Sequence, residues 1–150
     1  MRVWRVEPHA QSHYLLILLD ENRQMLPMSI GVCEAMAIQS AMRGKQGFPH
    51  DAGTHDLLEQ LISQLGGRLA KVVIDDLWNG VYFAKLHIAL NGEVVTVDSR
   101  PSDAVAIALR AEAPLYAVDS VIAAANEEEP EDAGAEEEGG EDVVDEGDEV

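Results

Sequence analysis

Two short stretches hold side chains whose types and spacing can do chemistry. The first is Asp98-Ser99-Arg100-Pro101-Ser102-Asp103, where two carboxylates, two hydroxyls and a guanidinium crowd a strand-to-helix junction. A helix N-terminus exposes unpaired N–H groups and partial positive charge. With Arg100 it can hold a phosphate, while Asp98 or Asp103 holds a metal or activates water. The second is Thr54-His55-Asp56, in which a histidine able to act as acid, base or ligand near neutral pH stands beside a carboxylate at another helix start. Glu34, in the first turn of an earlier helix, is a third acidic candidate. His55 gains weight only if it meets Asp98 or Asp103 in space.

Together these residues describe a metal-assisted phosphodiester site. Glu34, Asp56, Asp98 and Asp103 are the candidate ligands for Mg²⁺ or Mn²⁺, since hard divalent ions prefer carboxylate oxygens. Arg100 would stabilise the phosphate and His55 would move the proton, so His55, Asp56, Asp98, Arg100, Ser102 and Asp103 form the candidate catalytic set. The same residues also have structural uses. Ser99, Ser102 or Thr54 can cap helices, Asp56 and Asp103 complement helix dipoles, and Arg100 can pair with Asp98, each for about 1 kcal/mol or less. Spacing alone leaves both uses open.

The remaining chemistry is sparse. His9, His13, His50 and His87 lack metal-ligand spacing, and Cys33 is the single thiol, which excludes a structural zinc site of the usual kind and an intramolecular disulfide. Cys33 lies among Ile30, Ala35, Met36 and Ile38, where a small buried hydrophobe would serve. No phosphate-binding loop, nucleophile elbow or dinucleotide fingerprint occurs. Tyr82-Phe83 falls in a strand, one ring inward and one outward, too little for a base-stacking platform.

The elements that must position these residues follow from periodicity. Val3 to Glu7, Tyr14 to Leu19 and Gln24 to Met28 read as strands. After Gly31, Val32, Ala35, Met36, Ile38, Ala41 and Met42 recur at helical spacing until Gly44. Gln46 to Gly53 reads as a loop delivering Thr54 as N-cap to a second helix, with Leu57, Leu58, Leu61, Ile62 and Leu65 inward and Gly66-Gly67 as its stop. Leu69 to Leu77, Val81 to Ala89 and Glu93 to Val97 are strands joined by Asn79-Gly80 and Asn91-Gly92, the dipeptides of tight type I′ turns. Pro101 opens a third helix through Arg110, Leu115 to Val118 is a short strand, and Asp119 caps a last helical turn. The order predicts an α+β fold, a largely antiparallel sheet from two β-meanders with three main helices.

The 150 residues carry 28 acidic and 10 basic side chains, a formal charge of −18, which excludes a basic nucleic-acid clamp. Fourteen acids fall in residues 126–150 without one Lys or Arg, so the chain divides into a folded domain, 1–125, and a disordered acidic tail, 126–150. Arg outnumbers Lys in the domain by 7 to 3, a balance that suits a halophilic source. The lone cysteine, the absent leader and the short apolar runs predict a cytoplasmic protein with no membrane partner.

Taken in order, several segments resemble the bifunctional nuclease domain family over residues 1 to about 123. They are Leu26-Pro27-Met28-Ser29-Ile30-Gly31 with Glu34-Ala35, Thr54-His55-Asp56-Leu57, Val81-Tyr82-Phe83-Ala84, Asp98 to Ala104, and Ala113-Pro114-Leu115-Tyr116. The resemblance implies a small α+β domain that associates as a homo-oligomer, and a hydrolase acting on both DNA and RNA. Its matching polar positions are Glu34, Thr54, His55, Asp56, Asp98, Arg100, Ser102 and Asp103. The chain departs from the pattern at Ser29, where the family tends to have Trp, and at Pro49-His50-Asp51-Ala52-Gly53, where it tends to have Arg-Pro. A non-catalytic module that binds an anion or a partner's chain end is the second reading. The negative charge of domain and tail favours it, because nucleic acid is repelled.

Overall fold

Two asparagine-glycine turns set much of the architecture. In the computed structural model, which describes residues 1–44 and 53–127, Asn79 and Gly80 have φ of 50° and 72°, and Asn91 and Gly92 have 52° and 80°. These left-handed pairs are the type I′ geometry that matches strand twist. They fold β4 (Arg68–Trp78), β5 (Val81–Leu90) and β6 (Glu93–Ser99) into an antiparallel meander. A three-residue strand, β7 (Leu115–Ala117), then joins β4 in parallel, giving the order β6-β5-β4-β7. The N-terminal meander of β1 (Arg2–Ala10), β2 (His13–Leu19) and β3 (Met25–Gly31) forms a second, separate antiparallel sheet. The expected α+β class holds, with two sheets and one parallel pair.

Four helices join the sheets: α1 (Val32–Arg43), α2 (Thr54–Gln64), α3 (Pro101–Ala111) and α4 (Asp119–Glu127). Helix α3 is the hub. Ala104, Val105, Ala106, Ile107 and Ala108 are all buried, and the small alanines let α1, α2, β4 and β5 approach it closely. It ends at Glu112 in the left-handed conformation, and Pro114 follows. Leu16, Leu18, Leu26, Ile38, Val72 and Ile74 complete the core between the sheets and helices.

Several expectations are corrected. Gly53, in extended conformation, is the N-cap of α2, and Thr54 is its first helical residue. The leucines expected inward on α2 are exposed, and no residue of that helix is fully buried. Cys33 is exposed, because the first turn of α1 turns its side toward an open cleft. Neither Ser99 nor Ser102 caps α3, whose N-cap is Arg100 with no side-chain cap. Asn126 and Glu127, assigned to the tail from composition, are helical, and Asn126 Nδ2 donates to the Ile122 carbonyl at 2.6 Å. The remainder of the expected acidic tail and most of the expected Gln46 to Gly53 loop lie outside the described residues. No helix among the described residues is long and apolar enough to cross a membrane.

Candidate active site

The Asp98–Asp103 junction and the start of α2 meet at one cleft. It is an open depression of about 1120 Å³, floored by Leu86, Ile88, Val97 and Ile107 and bordered by α1 and α2. Its polar end is built from three helix N-termini. Arg100 is the N-cap of α3 because Pro101 fixes the first helical turn behind it. Asp103 sits in that first turn, Glu34 in the first turn of α1, and His55 and Asp56 in the first turn of α2.

These side chains form one connected network. His55 Nε2 lies 2.8 Å from Asp103 Oδ1, so two residues 48 positions apart do meet in space. Arg100 donates from Nε to Asp103 Oδ2 at 2.7 Å and from Nη1 to Glu34 Oε1 at 3.0 Å. Burial pushes the Asp103 carboxyl up, but the hydrogen bonds from Arg100 and His55 outweigh it and hold the group below the usual carboxylate range. An ionised Asp103 can only accept, so Nε2 of His55 is the donor, and in the neutral ring Nδ1 is then the nitrogen with the lone pair. The Arg100 side chain remains 65% exposed and faces the cleft.

The other expected residues are placed differently. Asp56 accepts from the Gly53 N–H at 3.0 Å and from Arg110 Nε at 2.5 Å. Arg110 also donates to the Ala37 and Ala106 carbonyls, so it locks α1, α2 and α3 together. Asp98 does not pair with Arg100. It stands opposite Lys85 of β5, 3.8 Å away and 92% exposed, at the rim of the cleft. Ser102 is buried and lines a smaller cavity of about 350 Å³ instead of the cleft. The role of Arg110 was hidden in the sequence, where it reads as a basic residue in a last helical turn.

The carboxylates do not assemble into a ligand set for Mg²⁺ or Mn²⁺. Asp103 accepts hydrogen bonds at both oxygens, Asp56 is spent on Gly53 and Arg110, Glu34 is held by Arg100, and Asp98 stands apart. Among the described residues no three His, Cys, Asp or Glu side chains are grouped to hold a metal.

Comparison with known proteins gives a consistent result. Residues 16–130 match the bifunctional nuclease domain. An uncharacterized protein of Mycobacterium tuberculosis is 40% identical over 121 residues, 81% of this chain and 71% of the relative. Bifunctional nuclease 1 of Oryza sativa subsp. japonica is 23% identical over 118 residues, 76% of this chain but 35% of that protein. The bifunctional nuclease of Oryza minuta is similar to the same extent.

Proposed function

The chain belongs to the bifunctional nuclease domain family, and from that premise we propose that it hydrolyses phosphodiester bonds of DNA and RNA at the His55–Asp103–Arg100 network. The observation that carries this reading is the His55 Nε2 to Asp103 Oδ1 contact at 2.8 Å beside an exposed guanidinium. Base, orienting carboxylate and phosphate-binding cation thus share the mouth of one cleft.

Asp103 fixes the His55 tautomer, and Nδ1 takes a proton from the attacking water. The water oxygen bonds to phosphorus, the bond from phosphorus to the leaving sugar oxygen breaks, and that oxygen takes a proton from solvent. Arg100 offsets the charge that builds on the non-bridging oxygens. No step is assigned to Mg²⁺ or Mn²⁺ at these residues, because among the described residues no three potential ligands are grouped to hold a metal.

The test is hydrolysis of labelled single- and double-stranded DNA and RNA by the full chain and by His55→Ala, with Mg²⁺, Mn²⁺ or a chelator. The wild type should cleave, and His55→Ala should lose at least a thousandfold. Equal background in both would overturn the reading. It would favour the second one, a non-catalytic module that binds an anion or a partner's chain end.

A further inference from the structure

The smaller cavity, of about 350 Å³, lies where the two sheets meet, between the end of β3, the turn from β4 to β5 and the N-terminus of α3. It is separate from the cleft but shares Glu34 and Arg100 with it. Its volume falls at the lower end of the range for small-molecule sites. Met28, Ile30, Val81, Tyr82 and Pro101 give it apolar walls and one aromatic ring.

Two polar atoms there serve no contact of the fold. Ser102 is only 7% exposed, yet its hydroxyl has no hydrogen-bond partner among the described residues. No sealed side-chain nitrogen or oxygen among them is left unpartnered, so this hydroxyl is open to the cavity that it lines. The second atom is Glu34 Oε2. Arg100 takes Oε1, and Oε2 lies against Gly31, where any Cβ would collide with it. Gly31 lines the smaller cavity and not the cleft, which puts the free oxygen on the cavity side. The Ser102 and Asp103 positions also precede the first helical bond of α3, Ala104 N–H to the Arg100 carbonyl, so their N–H groups have no helical acceptor.

The charges select the occupant. Arg100 and Glu34 offset each other at 3.0 Å, so the cavity holds no surplus cation for a free anion, and Oε2 repels one. Apolar walls that carry a carboxylate acceptor and a hydroxyl suit a neutral ring with N–H donors. Arg100 borders both spaces, so a ring in the cavity adjoins a phosphate held in the cleft. We infer that the cavity receives one nucleobase bearing an exocyclic amine. The amine donates to Glu34 Oε2, and Ser102 Oγ bonds a neighbouring ring nitrogen or carbonyl. Assigning that base to a strand being cleaved rests on the proposed hydrolysis, whereas the affinity of the cavity for it does not.

Titration of the isotope-labelled full chain with cytidine, uridine and ribose phosphate, followed by amide NMR shifts, tests the assignment without hydrolysis. Cytidine and uridine differ by an amine against a carbonyl on the ring, and ribose phosphate has no base. Cytidine should shift the amides of Gly31, Gly80, Ser102 and Asp103 with a dissociation constant on the order of 1 mM. Uridine should bind about 10-fold more weakly, because it offers Glu34 a second acceptor in place of a donor. Ser102→Ala should weaken cytidine about 3- to 10-fold and leave the urea midpoint no lower than in wild type. Equal affinity for the two nucleosides overturns the inference, as does unchanged cytidine binding in Ser102→Ala. Shifts of these amides by ribose phosphate as large as those by cytidine overturn it too, as does the absence of any cytidine shift. Cytidine binding by a chain that cleaves nothing upholds the cavity and fails only the hydrolytic reading, and cleavage without cytidine binding does the reverse.

Discussion

Replacing Asp103 by Asn changes almost no volume but removes one of two acceptors. In the wild type, Oδ2 accepts from Arg100 Nε at 2.7 Å and Oδ1 meets His55 Nε2 at 2.8 Å. An amide has one acceptor and must turn its NH₂ toward one of these donors. If the NH₂ meets Arg100, two donors face each other and the guanidinium keeps only Glu34. If it meets His55, the imidazole must move its proton to Nδ1 and loses the lone pair on that nitrogen. A hydrogen bond to a charged partner contributes about 1.5–3 kcal/mol. The carboxylate is about a quarter exposed, so the expected loss of stability is about 1–2 kcal/mol. The catalytic loss should be far larger, because forcing the wrong tautomer in a comparable triad costs about 10⁴ in kcat. Single-turnover hydrolysis, with urea denaturation in parallel, separates the two. A folded Asp103→Asn protein with a rate within tenfold of wild type would refute the tautomer argument, as would a loss confined to KM.

Other consequences follow from the same geometry. Arg100→Lys cannot bridge Glu34 and Asp103 with a planar fork, so kcat/KM should fall about 10- to 100-fold in steady-state hydrolysis. Arg110→Met leaves the Asp56 carboxylate without its cation, at side-chain exposures of 10% and 18%. It should lower stability by about 3 kcal/mol in chemical denaturation, and adding Asp56→Leu should recover at least half of that. The folded pKa of Asp103 is depressed. Its stabilisation is therefore complete above the unfolded value of about 3.9 and is lost as pH falls through the folded one. The stability gap between wild type and Asp103→Asn, followed by urea titration, should accordingly close below about pH 4. Because the cleft presents more carboxylates than guanidinium groups, KM for nucleic acid should rise less than tenfold between 50 and 200 mM salt. A protein making 6–10 phosphate contacts loses about 10³- to 10⁵-fold in affinity over that range.

Local chemistry made much of the fold legible. Asn79-Gly80 and Asn91-Gly92 announce their hairpins because few other dipeptides accept two positive φ values. Gly44 and Pro101 mark helix ends for equally local reasons. The inward face of α2 was not legible, since periodicity says which residues share a face but not which face meets the body. There, two ion pairs with partners 48 and 54 residues away decide the orientation. Similarly, Asp98 and Arg100 are neighbours in sequence, yet one ends a strand facing Lys85 and the other starts a helix facing Glu34. The parallel pairing of β7 with β4 is also a long-range event. His55 and Asp103 were both identifiable by type, and only the meeting of α2 with α3 unites them.

Chemical rescue tests the role of His55 most directly. The full-length His55→Ala protein should be inactive on labelled DNA and RNA, and added imidazole should restore hydrolysis in proportion to its neutral form while leaving the wild type unaffected. An inactive, folded variant that imidazole does not restore, or a His55→Ala protein as active as wild type, would contradict the account.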